Sequence, residues 1–89
     1  MNLSFSKVND EWVAEFQATN SFNLHLEREG SGDISIYQKT VGNKYAHVEF
    51  DVLPHQKVVD VDFTGGIFPK DIRIVCESQP TMGFITFAE

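Results

Sequence analysis

Cysteine, basic residues and long apolar runs are all scarce in this sequence. Cys76 is the only cysteine among 89 residues, so no disulfide can form within the chain. Seven Lys and Arg residues stand against thirteen Asp and Glu residues, which gives a net charge of −6. The basic residues are scattered, with no two adjacent. No run approaches the ~18 apolar residues that a membrane-spanning helix needs.

These shortages exclude several classes of function. Binding to DNA or RNA depends on clustered Lys and Arg that neutralise phosphates, so we expect no nucleic-acid partner. An anionic membrane surface attracts the same clusters, so we expect no membrane partner either. The N-terminus lacks the charged start and apolar stretch of a signal peptide, which makes synthesis in a cytoplasm the expectation.

What the sequence does have is a period-two alternation of apolar and polar residues that restarts about every ten residues. In the segment Val58–Phe63, the residues of one side are Val59, Val61 and Phe63, and those of the other are Val58, Asp60 and Asp62. Successive side chains of a strand point to opposite faces, so this pattern is typical of half-buried strands. We predict eight strands, at 3–8, 12–18, 22–27, 34–37, 45–52, 58–63, 71–76 and 83–87.

One segment allows a second interpretation. Trp12 and Phe16 stand four residues apart and Asp10 is a suitable N-cap, so a helix over Asp10–Ala18 is the alternative. We favour a strand because the neighbouring segments are strands. The chain is then a single domain over 1–89, an all-β antiparallel β-sandwich (Ig-like or jelly-roll-like) of seven or eight short strands. The two core cysteines of true immunoglobulin domains are absent.

Paired carboxylates are the first candidates for chemistry. Asp60 and Asp62 share one face of a strand, as do Glu49 and Asp51. Such pairs can bind calcium or flank a glycosidic bond. The chain lacks the Asp-rich loop of a calcium site, and solvated strand faces explain both pairs. We therefore expect no metal.

Neither the histidines nor the glycines form a recognisable motif. His25 and His47 both lie on polar faces and could meet across strands, while His55 lies in a loop. No His or Cys spacing is typical of zinc. The Gly65-Gly66 pair lacks the rest of a phosphate-binding loop. Cys76 alternates with two isoleucines and is expected to be a buried thiol. We expect no cofactor and no enzymatic activity.

Aromatic residues supply the candidates for binding. Tyr37 and Tyr45 lie opposite the aliphatic faces of their strands, so both are candidates to stack on a ligand such as a carbohydrate. Trp12 shares its alternation with core positions and is expected inside. The glycine-flanked loop containing Ile67 and Phe68 either plugs the end of the sandwich or projects into a partner.

The last predicted strand is apolar on both faces. It includes Phe84, Ile85 and Phe87, and it is the segment we expect to contact another protein chain. Edge strands present unpaired backbone groups, and symmetric self-association is common. With Ile67 and Phe68, these residues form the predicted interface.

Several segments resemble small all-β proteins encoded in phage genomes, particularly those of phages of gut bacteria. The segments are Trp12–Phe16, Phe22–Arg28 and Phe68–Val75, together with Pro80-Thr81. The resemblance implies a structural or accessory component of a virion and assigns no functional residues. We therefore expect a non-enzymatic protein that acts by protein–protein contact or self-association, made in the cytoplasm and located in the virion. The alternative is a small carbohydrate-binding or ligand-binding module.

Overall fold

Alternating apolar residues build eight strands that form two antiparallel sheets. The computed structural model describes residues 1–39, 42, 44–48, 52–64 and 67–88. The strands are β1 (Ser6–Val8), β2 (Glu11–Ala18), β3 (Phe22–Arg28), β4 (Ile34–Lys39), β5 (Tyr45–Val48), β6 (Val58–Phe63), β7 (Lys70–Cys76) and β8 (Pro80–Phe87). The five-stranded sheet has the order β1-β2-β7-β4-β5, and the three-stranded sheet has the order β6-β3-β8. These two sheets confirm the predicted all-β sandwich.

The core lies between the two sheets. It is formed by the apolar alternation of the central strands, including Leu24 and Leu26 from β3, Ile36 from β4 and Ile74 from β7. Aromatic rings close one end, where Phe22 stacks on the Phe63 ring at 5.0 Å between centroids. Burial of this apolar surface is the main force that holds the sheets together.

The segment at Trp12 is a strand, so the helical alternative is wrong. Positions 12, 14, 16 and 18 of β2 all face the core, and Ala14 and Ala18 are fully buried there. Trp12 is half-buried and packs against the core, as expected. A helix would have turned half of these residues away from the other sheet.

The N-terminal segment contacts both sheets. The predicted strand over 3–8 is regular only at Ser6–Val8, where it pairs with β2. Before that point the chain runs beside β8, because Leu3 N donates to Gly83 O and Ile85 N donates to Met1 O, both at 2.9 Å. Met1–Phe5, which we call the N-terminal strap, thereby covers part of the outer edge of β8.

A buried arginine fixes two loops at the other end of β3. Arg28 is only 3% exposed. Its guanidinium donates to the carbonyl oxygens of Gln56 and Gly32 at 2.8 Å each, and of Pro54 at 3.2 Å. The charge is thus solvated by backbone dipoles. Arg28 continues the inward alternation of β3, a position that the sequence analysis passed over.

Some predicted features fall outside the described residues. The predicted strand over 45–52 is observed as Tyr45–Val48, and Glu49 and Asp51 lie beyond the described residues. The Gly65-Gly66 pair also lies outside them. No helix in the described part of the chain is long and apolar enough to cross a membrane.

Candidate functional site

The outer face of the three-stranded sheet combines carboxylates with accessible apolar side chains. We call this surface the acidic face. It consists of Val58, Asp60 and Asp62 from β6, Asn23, His25 and Glu27 from β3, and Met82, Phe84 and Thr86 from β8. The alternation that sends Leu24, Val59 and Ile85 into the core turns these neighbours outward.

A histidine lies at the centre of the acidic face between two carboxylates. His25 Nε2 lies 2.7 Å from Glu27 Oε2, and His25 Nδ1 lies 2.9 Å from Asp60 Oδ2. Both ring nitrogens can donate only when the imidazole is protonated. The hydrogen bond to Glu27, followed by that to Asp60, raises the pKa of His25 above its usual value of 6.5.

An asparagine completes this polar network. Asn23 Nδ2 donates to Asp60 Oδ1 at 2.7 Å and to Asp62 Oδ1 at 3.0 Å. The bond from Asn23, and then the bond from His25, lowers the pKa of Asp60 below its usual value of 3.8. The Asp60–Asp62 pair is therefore held by an amide and an imidazole. In the described residues, no group of three or more His, Cys, Asp or Glu side chains is arranged to hold a metal ion.

Apolar side chains surround this network. Val58 and Met82 flank Glu27 on the two neighbouring strands and are 50% and 47% exposed. Phe84 lies beside His25 and is half-buried. The sequence analysis selected Phe84 but missed Val58 and Met82. The sequence does contain a signal for both residues. Each is an apolar residue next to an inward-facing position of its strand, so its own side chain points outward.

The other predicted interface residues have different environments. The sequence analysis expected Ile85 and Phe87 to contact another protein chain. In the structure Ile85 is buried in the core, and Phe87 is half-buried and packs against the core, so neither side chain projects from the sheet. Ile67 and Phe68 were expected either to plug the end of the sandwich or to project into a partner, and the two residues differ. Phe68 packs against the core as a plug, whereas Ile67 is 88% exposed. Phe84 and Ile67 are thus the accessible members of the predicted interface.

The two tyrosines lie on the outer face of the five-stranded sheet, where a row of side chains crosses four strands. Glu15, Arg73, Tyr37 and His47 are successive cross-strand neighbours on β2, β7, β4 and β5. The rings of Tyr37 and His47 meet edge to face at 5.4 Å. We call this surface, together with Tyr45, the tyrosine face.

Tyr45 reaches across this row rather than standing beside Tyr37. Its ring lies 4.1 Å from the Arg73 guanidinium carbon, and its hydroxyl donates to Glu15 Oε2 at 3.3 Å. Arg73 Nη2 also donates to Glu15 Oε1 at 3.2 Å. Both tyrosines are half-buried. Each ring therefore has its own partner, and the structure places no second aromatic ring against Tyr45 in the described residues.

The remaining predicted site residues are apart from these surfaces. His47 lies on the five-stranded sheet and His25 on the three-stranded sheet, so the two imidazoles do not meet. His55 lies in the loop between β5 and β6. Cys76 is fully buried, and burial raises the pKa of its thiol to about 12. This confirms the prediction of a buried thiol.

Comparison with known proteins adds no assignment. No protein-family model matches the chain, and no curated protein or solved structure matches it either.

Proposed function

We propose that the chain is a non-enzymatic interaction protein that acts by protein–protein contact, as an accessory or assembly component of a phage virion. The virion setting comes from the resemblance of three segments to small phage proteins. The contact surface comes from the acidic face. The form of contact that we propose is self-association between copies of the chain.

The observation that supports this proposal is the exposure of apolar side chains around the hydrogen-bonded network of Asn23, His25 and Asp60. Val58 and Met82 each leave about half of their surface in water, and Phe84 lies between Met82 and Thr86 on β8. Burial of such side chains by a partner contributes roughly 25 cal/mol for each Å² of apolar surface removed from water. Aromatic and methionine side chains are enriched in protein interfaces.

The polar centre of the acidic face suits an interface because its groups are already paired. Asn23 and His25 each form a hydrogen bond with Asp60, at 2.7 and 2.9 Å, and His25 forms a second one with Glu27 at 2.7 Å. Side chains fixed in advance lose little conformational entropy when a partner binds. When it is protonated, the His25 imidazole offsets part of the negative charge of this face, and the hydrogen bonds to Glu27 and Asp60 favour that form by raising its pKa.

The area that a stable contact needs is a small part of the surface of this chain. A standard interface buries about 800 Å² on each partner, which is roughly a seventh of the 5621 Å² accessible surface of this chain. Oligomers of identical chains are usually symmetric, with the same patch on both copies. The acidic face, with Val58 at one margin and Met82 and Phe84 at the other, can serve as such a patch.

The experiment is a comparison of two charge substitutions by light scattering. Met82→Asp places a carboxylate within the acidic face, and we expect it to reduce the fraction of oligomer at least tenfold. Val8→Asp is the matched control, since Val8 is 49% exposed against 47% for Met82 but lies on β1, in the other sheet. Equal effects of the two substitutions, or no effect of Met82→Asp, would contradict the assignment of the interface.

A further inference from the structure

We infer that the tyrosine face holds a binding site for a neutral carbohydrate, in the hollow beside Tyr45. This inference is separate from the proposed self-association, because the hollow lies on the five-stranded sheet and the acidic face on the three-stranded one. The sequence suggested a carbohydrate-binding or ligand-binding module on the basis of Tyr37 and Tyr45, and this inference narrows that alternative to one site. It assigns the ligand to Tyr45 and not to Tyr37.

The hollow has the size of a small ligand site. It has a volume of about 350 Å³ and is lined by residues of β2, β4, β5 and β7. Sites for small molecules commonly occupy about 300 to 1,000 Å³. Tyr45 forms one wall, while Tyr37 does not contribute to the lining. The hollow is open to solvent, which suits the end or the side of a sugar chain.

The aromatic wall is fixed before any ligand arrives. Arg73 packs 4.1 Å from the Tyr45 ring, and Glu15 accepts a hydrogen bond from the Tyr45 hydroxyl. Arg73 lies over one face of this ring and does not line the hollow. The negative π-face of an aromatic ring attracts the partly positive C–H groups of a sugar. A ring already held in place loses little entropy on binding.

The polar lining provides both donors and acceptors. Gln17 offers an amide that donates and accepts, Lys39 donates, and Asp71 accepts. None of these three side chains is engaged by another side chain within the described parts of the chain. Sugar hydroxyls also donate and accept, and neighbouring hydroxyls need such mixed partners.

The charge of the lining favours a neutral ligand. Asp71 and Glu15 are acidic, and Lys39 is the basic member of the lining. Phosphate recognition relies on clustered cations and bidentate arginines. Here the Arg73 guanidinium lies over the Tyr45 ring and donates from Nη2 to Glu15, and Arg73 does not line the hollow. A neutral sugar therefore fits better than a phosphate or an acidic sugar.

The inference is tested by titrating the ¹⁵N-labelled full chain with methyl glucoside, methyl galactoside and N-acetylglucosamine, followed by NMR. We expect at least one of them to produce saturable shifts of the Gln17, Lys39, Tyr45 and Asp71 amides, with a Kd on the order of 1 mM. Inorganic phosphate and glucuronate serve as anionic probes. Absence of saturable shifts with all three neutral sugars would overturn the inference, as would tighter binding of either anion.

Substitutions separate the hollow from the rest of the tyrosine face. Tyr45→Ala and Gln17→Ala should each weaken sugar binding at least tenfold. Tyr37→Ala and Gln79→Ala are the matched controls and should leave the Kd unchanged, because neither residue lines the hollow. Gln17 is exposed, so its variant tests the site even if Tyr45→Ala fails to fold. Binding that survives Gln17→Ala, or that is lost in Tyr37→Ala, would contradict the assignment.

Discussion

His25 on β3 lies directly opposite Asp60 on β6, and His25 Nδ1 is 2.9 Å from Asp60 Oδ2. Since the bond to Glu27 and then the bond to Asp60 raise the pKa of His25, its contribution to stability is complete below pH 6.5 and is lost as the pH rises through the folded pKa. Asp60 has a lowered pKa, so its contribution is complete above pH 3.8 and is lost as the pH falls through the folded pKa. Both contributions are therefore complete between those two values.

An NMR titration of the His25 ring tests whether its pKa is raised. We expect a pKa above 6.5, lowered by Glu27→Gln and by Asp60→Asn. The difference in unfolding free energy between the wild type and His25→Gln should shrink as the pH rises through that pKa. A pKa at or below 6.5, or one unchanged by both substitutions, would show that the hydrogen bonds do not form.

Arg28 should be the charged residue whose loss costs the most stability. Arg28→Met removes the donors that satisfy the carbonyl groups of Gln56, Gly32 and Pro54 in a buried environment. We expect a loss of about 3 kcal/mol in the free energy of unfolding by urea. Arg73→Met is the control, because its ion pair is exposed and pairs of that kind contribute about 0.2 to 1 kcal/mol. Similar losses in the two variants would contradict the role given to Arg28.

Gly83 should be intolerant of a methyl group because the N-terminal strap passes against it. A Cβ at position 83 would lie 2.9 Å from Phe5 Cε2 and 3.3 Å from Leu3 Cβ. We expect Gly83→Ala to lower the unfolding free energy by about 1 to 2 kcal/mol. Hydrogen exchange at the Leu3 and Ile85 amides should accelerate. In a Phe5→Ala background the same substitution should cost less, and an unchanged cost would show that the strap does not pack there.

Cys76 should be unreactive in the folded protein. The thiol is fully buried and its pKa is raised to about 12 by burial, so almost no nucleophilic thiolate exists at neutral pH. We expect iodoacetamide to label Cys76 only as the chain unfolds, with a denaturant dependence that follows the unfolding transition by mass spectrometry. Labelling in buffer at the rate of a free thiol would contradict the placement of Cys76 in the core.

The strands and their inward faces could be predicted from the sequence because alternation is a local property. The β2 pattern of Trp12, Ala14, Phe16 and Ala18 identified the buried face directly. Sheet order could not be predicted in the same way. Pairings such as that of His25 with Asp60 join residues that are 35 positions apart, and nothing local selects them. The His25 network and the row through Tyr37 both depend on such pairings.

The burial of a polar residue at an inward position could not be predicted from the sequence either. Arg28 continues an apolar alternation, yet a charged side chain is normally expected at the surface. Its burial depends on carbonyl oxygens from two loops that approach only in the folded chain. The exposure of Ile67 beside the half-buried Phe68 was likewise left open by the sequence, since a loop's direction follows from its packing.

The most direct test of self-association is the mass of the purified chain measured by light scattering over a range of concentrations. The account predicts a mass that rises to a defined multiple of the 10.1 kDa monomer, and a return to the monomer mass in Met82→Asp but not in Val8→Asp. A mass of one chain at every concentration would contradict self-association through the acidic face.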